Sequence, residues 1–358
     1  MGHATTLQER RRAKTCALAG ARLVHANDSD PGITRERRGR GFAYRRPDGR
    51  LVREAIDLAR IRALAIPPAW SGVWICPSPR GHIQATGRDA RGRKQYRYHA
   101  AWTAVRGADK YARLEAFARA LPALRRRVRL DLGLPGLPHA KVIAAVVHLL
   151  ERTFIRVGND EYARTNGSYG LTTMRDRHAH VSTEAVRFRF RGKSGKLHEA
   201  TFADRRIARI VKRCRELPGS RLFQYLDDHG VVREITSSDV NAYLRTIMGQ
   251  TFTAKDFRTW AGTTAAAELL LAEAPGDTQR ARNAAVVEAV SAVAVALGNT
   301  RAVCRRCYVH PAIIDGYLDG TLHRRLARPI APVRGLRHAE SAVLSLLRRT
   351  SRRVLAAA

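Results

Sequence analysis

Apolar and polar positions change their period along this chain, and the change marks its organisation. From Gly41 to about His99 the apolar stretches are short and broken by Pro and Gly, among them Ile66-Pro67-Pro68 and Val73-Trp74-Ile75-Cys76. His82-Ile83-Gln84-Ala85-Thr86 and Gln95-Tyr96-Arg97-Tyr98 flank a turn over Gly87 to Arg93, which predicts a hairpin. After residues 100–110 helical spacing takes over. Beyond Pro138, the residues Val142, Ile143, Val146, Val147, Leu149, Leu150 and Phe154 share one broad apolar face. Residues 186–202 interrupt the helices. There Val186, Phe188 and Phe190 alternate with Arg187, Arg189 and Arg191, Gly192-Lys193-Ser194-Gly195 turns the chain, and Leu197 to Phe202 returns as a second strand. Helices are predicted again at about 238–248, 255–273 and 278–297, with Ser238 and Thr278 as N-caps, and a short one at about 339–347.

The pattern predicts an α+β protein, with a small β-rich N-terminal lobe and a mainly α-helical lobe that carries a short β-hairpin. Residues 1–40 are polar, basic and rich in turn formers, and read as a partly ordered extension. Residues 41–105 make the β-rich lobe, 106–345 the helical lobe and 346–358 a basic tail.

Composition narrows the function. Hydrophobic residues are 45% of the 358, enough for a folded core. Lys plus Arg number 65 against 31 Asp plus Glu, a net charge of +34 that runs through the whole chain. The fitting counterpart is a polyanion, and double-stranded DNA fits best, because each neutralised phosphate releases a counterion. Two basic lobes suit a clamp closing on a duplex. An anionic membrane surface is the rival, but no apolar run approaches the ~18 residues that span a bilayer. The longest candidate, Ala284 to Leu297, is interrupted by Glu288.

The five cysteines form an odd set, and no secretory apolar segment opens the chain. Both point to free thiols in a reducing cytoplasm; a nucleoid-associated monomer is the expectation for a chain of this charge. Cys304-x-x-Cys307 lacks a second pair of metal-ligand spacing, and His178, His180 and His310 lack a supporting carboxylate pattern, so no metal or other cofactor is expected.

Cutting a phosphodiester without a metal needs an in-line nucleophile, cations on the equatorial oxygens and an acid for the leaving oxygen. A phenol is a weak nucleophile near neutrality unless positive charge surrounds it. Arginine suits the oxyanion role through its planar, permanently charged fork. Two arginines, an acid and a tyrosine therefore make a coherent set, but chemistry alone does not pick them out of so many basic residues.

Ordered blocks do. Phe154-Ile155-Arg156-Val157-Gly158-Asn159-Asp160-Glu161-Tyr162, continuing to Tyr169-Gly170-Leu171-Thr172-Thr173-Met174-Arg175, resembles the first catalytic-arginine segment of type IB DNA topoisomerases, of the compact poxvirus-like branch that bacteria also carry. Phe190-Arg191-Gly192-Lys193 resembles that family's lysine hairpin, and Lys255-Asp256-Phe257-Arg258-Thr259-Trp260 its second arginine box. Leu297-Gly298-Asn299-Thr300 and Cys307-Tyr308-Val309-His310-Pro311 resemble its terminal box. Gly92-Arg93-Lys94-Gln95-Tyr96-Arg97-Tyr98 extends the resemblance into the N-terminal lobe, so that it covers roughly residues 41–345.

The resemblance implies that Arg156 and Arg258 hold the non-bridging oxygens, that Lys193 is the general acid and that Tyr308 forms a 3′-phosphotyrosyl link. It places Asn299 where poxviral and nuclear relatives have histidine, so the expectation there is a neutral donor with weaker transition-state stabilisation. Asn159 and Glu161 also depart from the more basic poxviral segment. Gln95, Tyr96, Tyr98, Tyr162 and Lys255 are the expected DNA contacts. A tyrosine recombinase or integrase shares much of the pattern, and a non-enzymatic DNA-compacting protein would satisfy the charge alone. The stretch from Gly158 to Thr173 and the β-rich N-terminal lobe favour the topoisomerase.

Overall fold

The computed structural model describes residues 22–249, 252–272, 274–326 and 331–356. The chain is mixed α/β and divides into two compact units between Lys110 and Tyr111. Cys16 lies outside the described residues.

In the first unit, five antiparallel strands form a sheet in the order β2-β1-β3-β4-β5: β1 is Ile33–Arg38, β2 Gly41–Arg45, β3 Ser71–Ile75, β4 Ile83–Arg88 and β5 Lys94–Tyr98. β1 comes from the stretch that read as extension. Its Ile33 is buried with Val52, Ile61, Val73, Ile75 and Ala85, which is enough apolar contact to order it. The expected hairpin is β4–β5, with Thr86 opposite Tyr96. β5 is an edge strand.

The second unit is built round the helix His139–Thr153 (α3), which follows α1 (Ala55–Ala63) and α2 (Ala100–Leu132). Val142 to Val147 are all buried, as are Leu149 and Leu150, so α3 is enclosed on nearly every side. Phe154, partly buried, packs against the same core just past the helix. It ends the helix with φ at 58°, a left-handed conformation that a non-glycine residue holds at a cost of roughly 1–2 kcal/mol. After α4 (Asp160–Asn166), three antiparallel strands follow: β6 (Ala179–Val181), β7 (Ala185–Arg191) and β8 (Leu197–Ala203). Val186, Phe188 and Phe190 are buried, while Arg187, Arg189 and Arg191 face out, the strict alternation of a sheet with one covered face.

The chain continues through α5 (Arg205–Arg215), a two-stranded ribbon of β9 (Gln224–Leu226) and β10 (Val232–Glu234), and α6 (Ser237–Met248). Then come α7 (Ala254–Leu271), α8 (Gln279–Ala296), α9 (Arg301–Cys307), α10 (Pro311–Leu318), α11 (Thr321–Leu326) and α12 (His338–Ala356). Thr278 caps α8 as expected, accepting from Ala281 N. Ser238 does not cap α6. Thr236 does, accepting from Asp239 N while the Asp239 carboxylate accepts from Thr236 N in return, and that reciprocal pair outcompetes a lone hydroxyl. α12 runs well past the predicted end, and Leu346 and Leu347 are buried in the core rather than in a tail. No single helix among the described residues is long and apolar enough to cross a membrane.

A buried ion network ties α12 to the core. Glu340 is fully buried and accepts from Arg125 Nη1 (2.8 Å) and Nη2 (2.7 Å), Arg337 N (2.8 Å) and Trp260 Nε1 (3.2 Å). Arg125 also reaches Glu151. Burial alone would raise the Glu340 carboxyl, but the Arg125 bonds and charge override it and hold it at about 2. Its folded pKa is therefore below the unfolded value, so its contribution is present above about pH 4.5 and is lost as pH falls toward 2. Glu340→Gln leaves Arg125 and Arg337 without that charge, and is expected to destabilise by roughly 3–5 kcal/mol at pH 7. Thermal melts across pH check this: the gap between wild type and variant should narrow below pH 4.5, and a gap independent of pH would refute the assignment.

Candidate active site

The end of α3 sets the first arginine. Arg156 lies just beyond the left-handed Phe154, and its backbone is zipped to a returning segment. Leu171 N donates to Arg156 O (2.9 Å) and Thr172 N to Val157 O (2.7 Å). Two glycines make that approach possible. A Cβ on Gly170 would stand 2.5 Å from Arg156 O, and Gly158, at φ +111°, faces the hydroxyls of Thr172 and Thr173. Tyr169 N then donates to Arg191 O (2.7 Å), which joins the same segment to β7. Gly158 to Thr173 is thus a brace that fixes Arg156 relative to the Lys193 hairpin.

α7 sets the second arginine. Thr253 and Asp256 form a capping box at its start, and Phe257 and Trp260 pack on Phe117 at 5.0 and 6.4 Å between ring centroids. These anchors leave Arg258, between them in sequence, only 5% exposed. Its Nη1 donates to Phe154 O and its Nη2 to Leu297 O (2.6 Å). The Phe154 carbonyl that Arg258 takes thus belongs to the strained residue at the end of α3.

The end of α8 sets Asn299. Gly298 N donates to Val295 O (2.9 Å) and Asn299 N to Ala294 O (2.8 Å), the paired closing bonds of a glycine-terminated helix, with Gly298 at φ +60°. Asn299 Oδ1 accepts from Arg156 Nη2 at 2.9 Å. Since arginine only donates, this fixes the amide orientation and turns Nδ2 outward. Nδ2 is shielded from solvent without a partner among the described residues, and so is Arg258 Nε. A buried amide donor beside two guanidinium groups, one with its own Nε unpartnered among the described residues, makes a site suited to anionic oxygens.

Tyr308 follows α9 and is half-buried. Its phenol is electrostatically coupled to both Arg156 and Arg258, and Arg258 Cζ lies 5.2 Å from its ring centroid. Burial, reinforced by the Arg258 charge and opposed by Tyr308, pushes the Arg156 guanidinium down to about 10, so it stays charged at pH 7. Burial likewise lowers Arg258, again opposed by Tyr308.

The backbone of Tyr308 is held by residues that the sequence did not single out. Thr263 Oγ1 accepts from His310 N (3.1 Å) and shares its proton between Thr259 O (2.8 Å) and Tyr308 O (3.3 Å). A Cβ on Gly262 would fall 2.5 Å from Tyr308 O, so this mid-helix glycine, costing about 1 kcal/mol relative to alanine, lets α7 touch the tyrosine segment. His310 caps α10, accepting from Ala312 N (3.0 Å) on Nδ1, and burial pushes it down to about 4.

Arg156, Arg258, Asn299 and Tyr308 therefore converge, although they come from four separate stretches of chain. Comparisons with known proteins show the family. Residues 99–320 match the family model of the eukaryotic DNA topoisomerase I catalytic core, and residues 41–89 match that of the bacterial DNA topoisomerase IB N-terminal domain. DNA topoisomerase 1B of Acanthamoeba polyphaga mimivirus is 33% identical over 293 residues, spanning 80% of this chain and 87% of the relative. The chain belongs to the type IB DNA topoisomerases. It is an isomerase of that type, and DNA is its substrate.

Within the second unit, Lys193, Tyr162 and Lys255 are exposed and form no side-chain hydrogen bond with the cluster among the described residues. Lys193 opens the hairpin turn and is exposed. Ser194 and Gly195 there both adopt positive φ, 66° and 73°. Tyr162 is exposed on α4, and Lys255 is exposed in the first turn of α7. In the first unit, Tyr96 and Tyr98 project from the same side of edge strand β5, 41% and 47% exposed, with rings stacked 5.8 Å apart and 6° from parallel. Gln95 points to the opposite side, where its Nε2 donates to Asp89 at 2.9 Å, so its amide is already engaged.

Proposed function

We propose that this topoisomerase relaxes supercoiled DNA by transient cleavage of one strand with Tyr308 as nucleophile. What carries the reading is the Tyr308 phenol beside the Arg156 and Arg258 guanidinium groups, with the buried Asn299 Nδ2 unpartnered among the described residues. In the proposed step the phenol loses its proton to water, Tyr308 Oη bonds to phosphorus and the P–O5′ bond breaks. Arg156, Arg258 and the Nδ2 of Asn299 hold the non-bridging oxygens as charge builds on them. Lys193 gives its proton to O5′, reached by movement of the hairpin turn. The freed 5′ end rotates about the intact strand, and reversal reseals the nick. The 3′-phosphotyrosyl ester conserves the bond energy, so resealing needs no ATP.

Binding in this proposal is shared. The stacked Tyr96–Tyr98 face suits a groove wall, with Gln95, Tyr162 and Lys255 as further contacts, and both units bind the same duplex as a clamp. The enzyme acts as a cytoplasmic, nucleoid-associated monomer.

The test is supercoiled plasmid incubated with the enzyme in EDTA without ATP, followed by denaturation in detergent. Relaxation of both positive and negative supercoils is expected, with protein trapped on the 3′ side of the nick at Tyr308. An adduct on another residue, or a requirement for a particular paired DNA site as in a recombinase, would overturn the proposal.

A further inference from the structure

Beside the cluster lies a buried polar group that the chemistry above does not use. His198 of β8 lines the same cleft as Arg156, Phe190 and Leu297. Its ring stacks on Phe190, with centroids 5.5 Å apart and planes 14° from parallel. Its Nε2 is shielded from solvent and has no hydrogen-bond partner among the described residues. An orphaned nitrogen of this kind is disfavoured unless the ring's shape or position is required.

Its surroundings show what is required. A Cβ on Gly192 would stand 2.3 Å from His198 Cδ2, and a Cβ on Gly298 would stand 2.3 Å from His198 Cε1. The imidazole edge that carries Nε2 is therefore wedged between two α-carbons, and the ring fits only because both positions lack a side chain. Gly298 has a second reason to be glycine, its φ of +60° at the end of α8. Gly192 has φ −95°, which any residue adopts, so contact with His198 accounts for it. Each glycine immediately precedes a residue of the proposed mechanism, Lys193 in one case and Asn299 in the other.

We propose that His198 is a positioning residue whose flat ring keys the hairpin of Lys193 to the turn of Asn299, so that the proton donor and the amide address one phosphate. The inference rests on the roles given to those two residues above. Burial, followed by the charges of Arg156 and Arg258, lowers the affinity of this ring for a proton, so the key is a neutral wedge and not a third cation.

A substrate with sulfur in place of the 5′ bridging oxygen provides the test, because a thiolate leaves without a proton and bypasses the acid. His198→Ala is expected to slow cleavage of the ordinary oxygen substrate by roughly 10- to 100-fold, as for a misplaced catalytic group. Gly192→Ala, which drives a methyl into the ring with no backbone penalty, should slow it in the same way and covers the case that His198→Ala fails to fold. Both variants, like Lys193→Ala, should regain most of the loss on the sulfur substrate, with DNA affinity close to wild type.

If Lys193→Ala is not rescued by sulfur, Lys193 is not the acid and the underlying reading falls. If Lys193→Ala is rescued but His198→Ala and Gly192→Ala are not, the mechanism stands and the positioning role is overturned. Wild-type cleavage of the oxygen substrate by either variant would overturn it as well.

Discussion

Tyr308→Phe is expected to abolish plasmid relaxation while leaving the fold and DNA binding nearly unchanged. The substitution removes one oxygen. The ring keeps its place under Arg258, and the backbone keeps its bonds to Thr263 and Cys304, none of which involves the hydroxyl. Arg156 retains Asn299 as acceptor, and Arg258 retains Phe154 O and Leu297 O, so neither guanidinium is stranded. Duplex affinity is spread over many phosphate contacts by a chain of net charge +34, and should change little. Without the phenol oxygen, however, no covalent ester forms, and a loss on the order of 10⁵- to 10⁶-fold is the scale for deleting a nucleophile. A relaxation time course, paired with gel-shift titration at fixed salt, checks both halves. Residual relaxation above about 10⁻³ of wild type, by the same comparison, would mean that Tyr308 is not the group that attacks.

The parts of this site that the sequence revealed are those with a chemical or conformational signature. Thr278 before an apolar-periodic run identified the start of α8. The alternation of Phe and Arg over 186–191 identified a strand and the face it buries. Arg156, Arg258, Asn299 and Tyr308 were legible only as an ordered set, because each alone is an ordinary polar residue.

What stayed hidden was long-range contact. Thr263 and Gly262 sit in the middle of a helix, where a glycine normally argues against the element, and only the approach of Tyr308 explains both. His198 read as one polar position of a strand, because its meaning depends on Gly192 and Gly298, which are far apart in sequence. Ser238 was mistaken for a cap although the Thr236-to-Asp239 spacing of a capping box was present. The pairing of Glu340, a charged residue on the buried face of α12, with Arg125 some 215 positions earlier was equally hidden.

Arg258 is where structure and chemistry are least separable, and its replacement should carry the second-largest effect. Its guanidinium bridges Phe154 O at the end of α3 and Leu297 O at the end of α8, which places it between the Arg156 segment and the Asn299 turn while it also contacts Tyr308. In the proposed step alanine removes a cation from the non-bridging oxygens, and it strands the buried Leu297 carbonyl and the part-buried Phe154 carbonyl. We expect a loss of 10²- to 10³-fold or more in cleavage rate, the range for deleting one oxyanion donor, together with roughly 2–4 kcal/mol of stability for two unsatisfied acceptors.

Arg258→Lys separates the two contributions. An ammonium keeps the charge but cannot span both carbonyls with a planar fork, so it should recover part of the rate and little of the melting temperature. Single-turnover cleavage and calorimetry on both variants check this. Full recovery of rate by lysine would show that only a point charge is needed. Full recovery of stability would show that the two carbonyl bonds do not hold the site together.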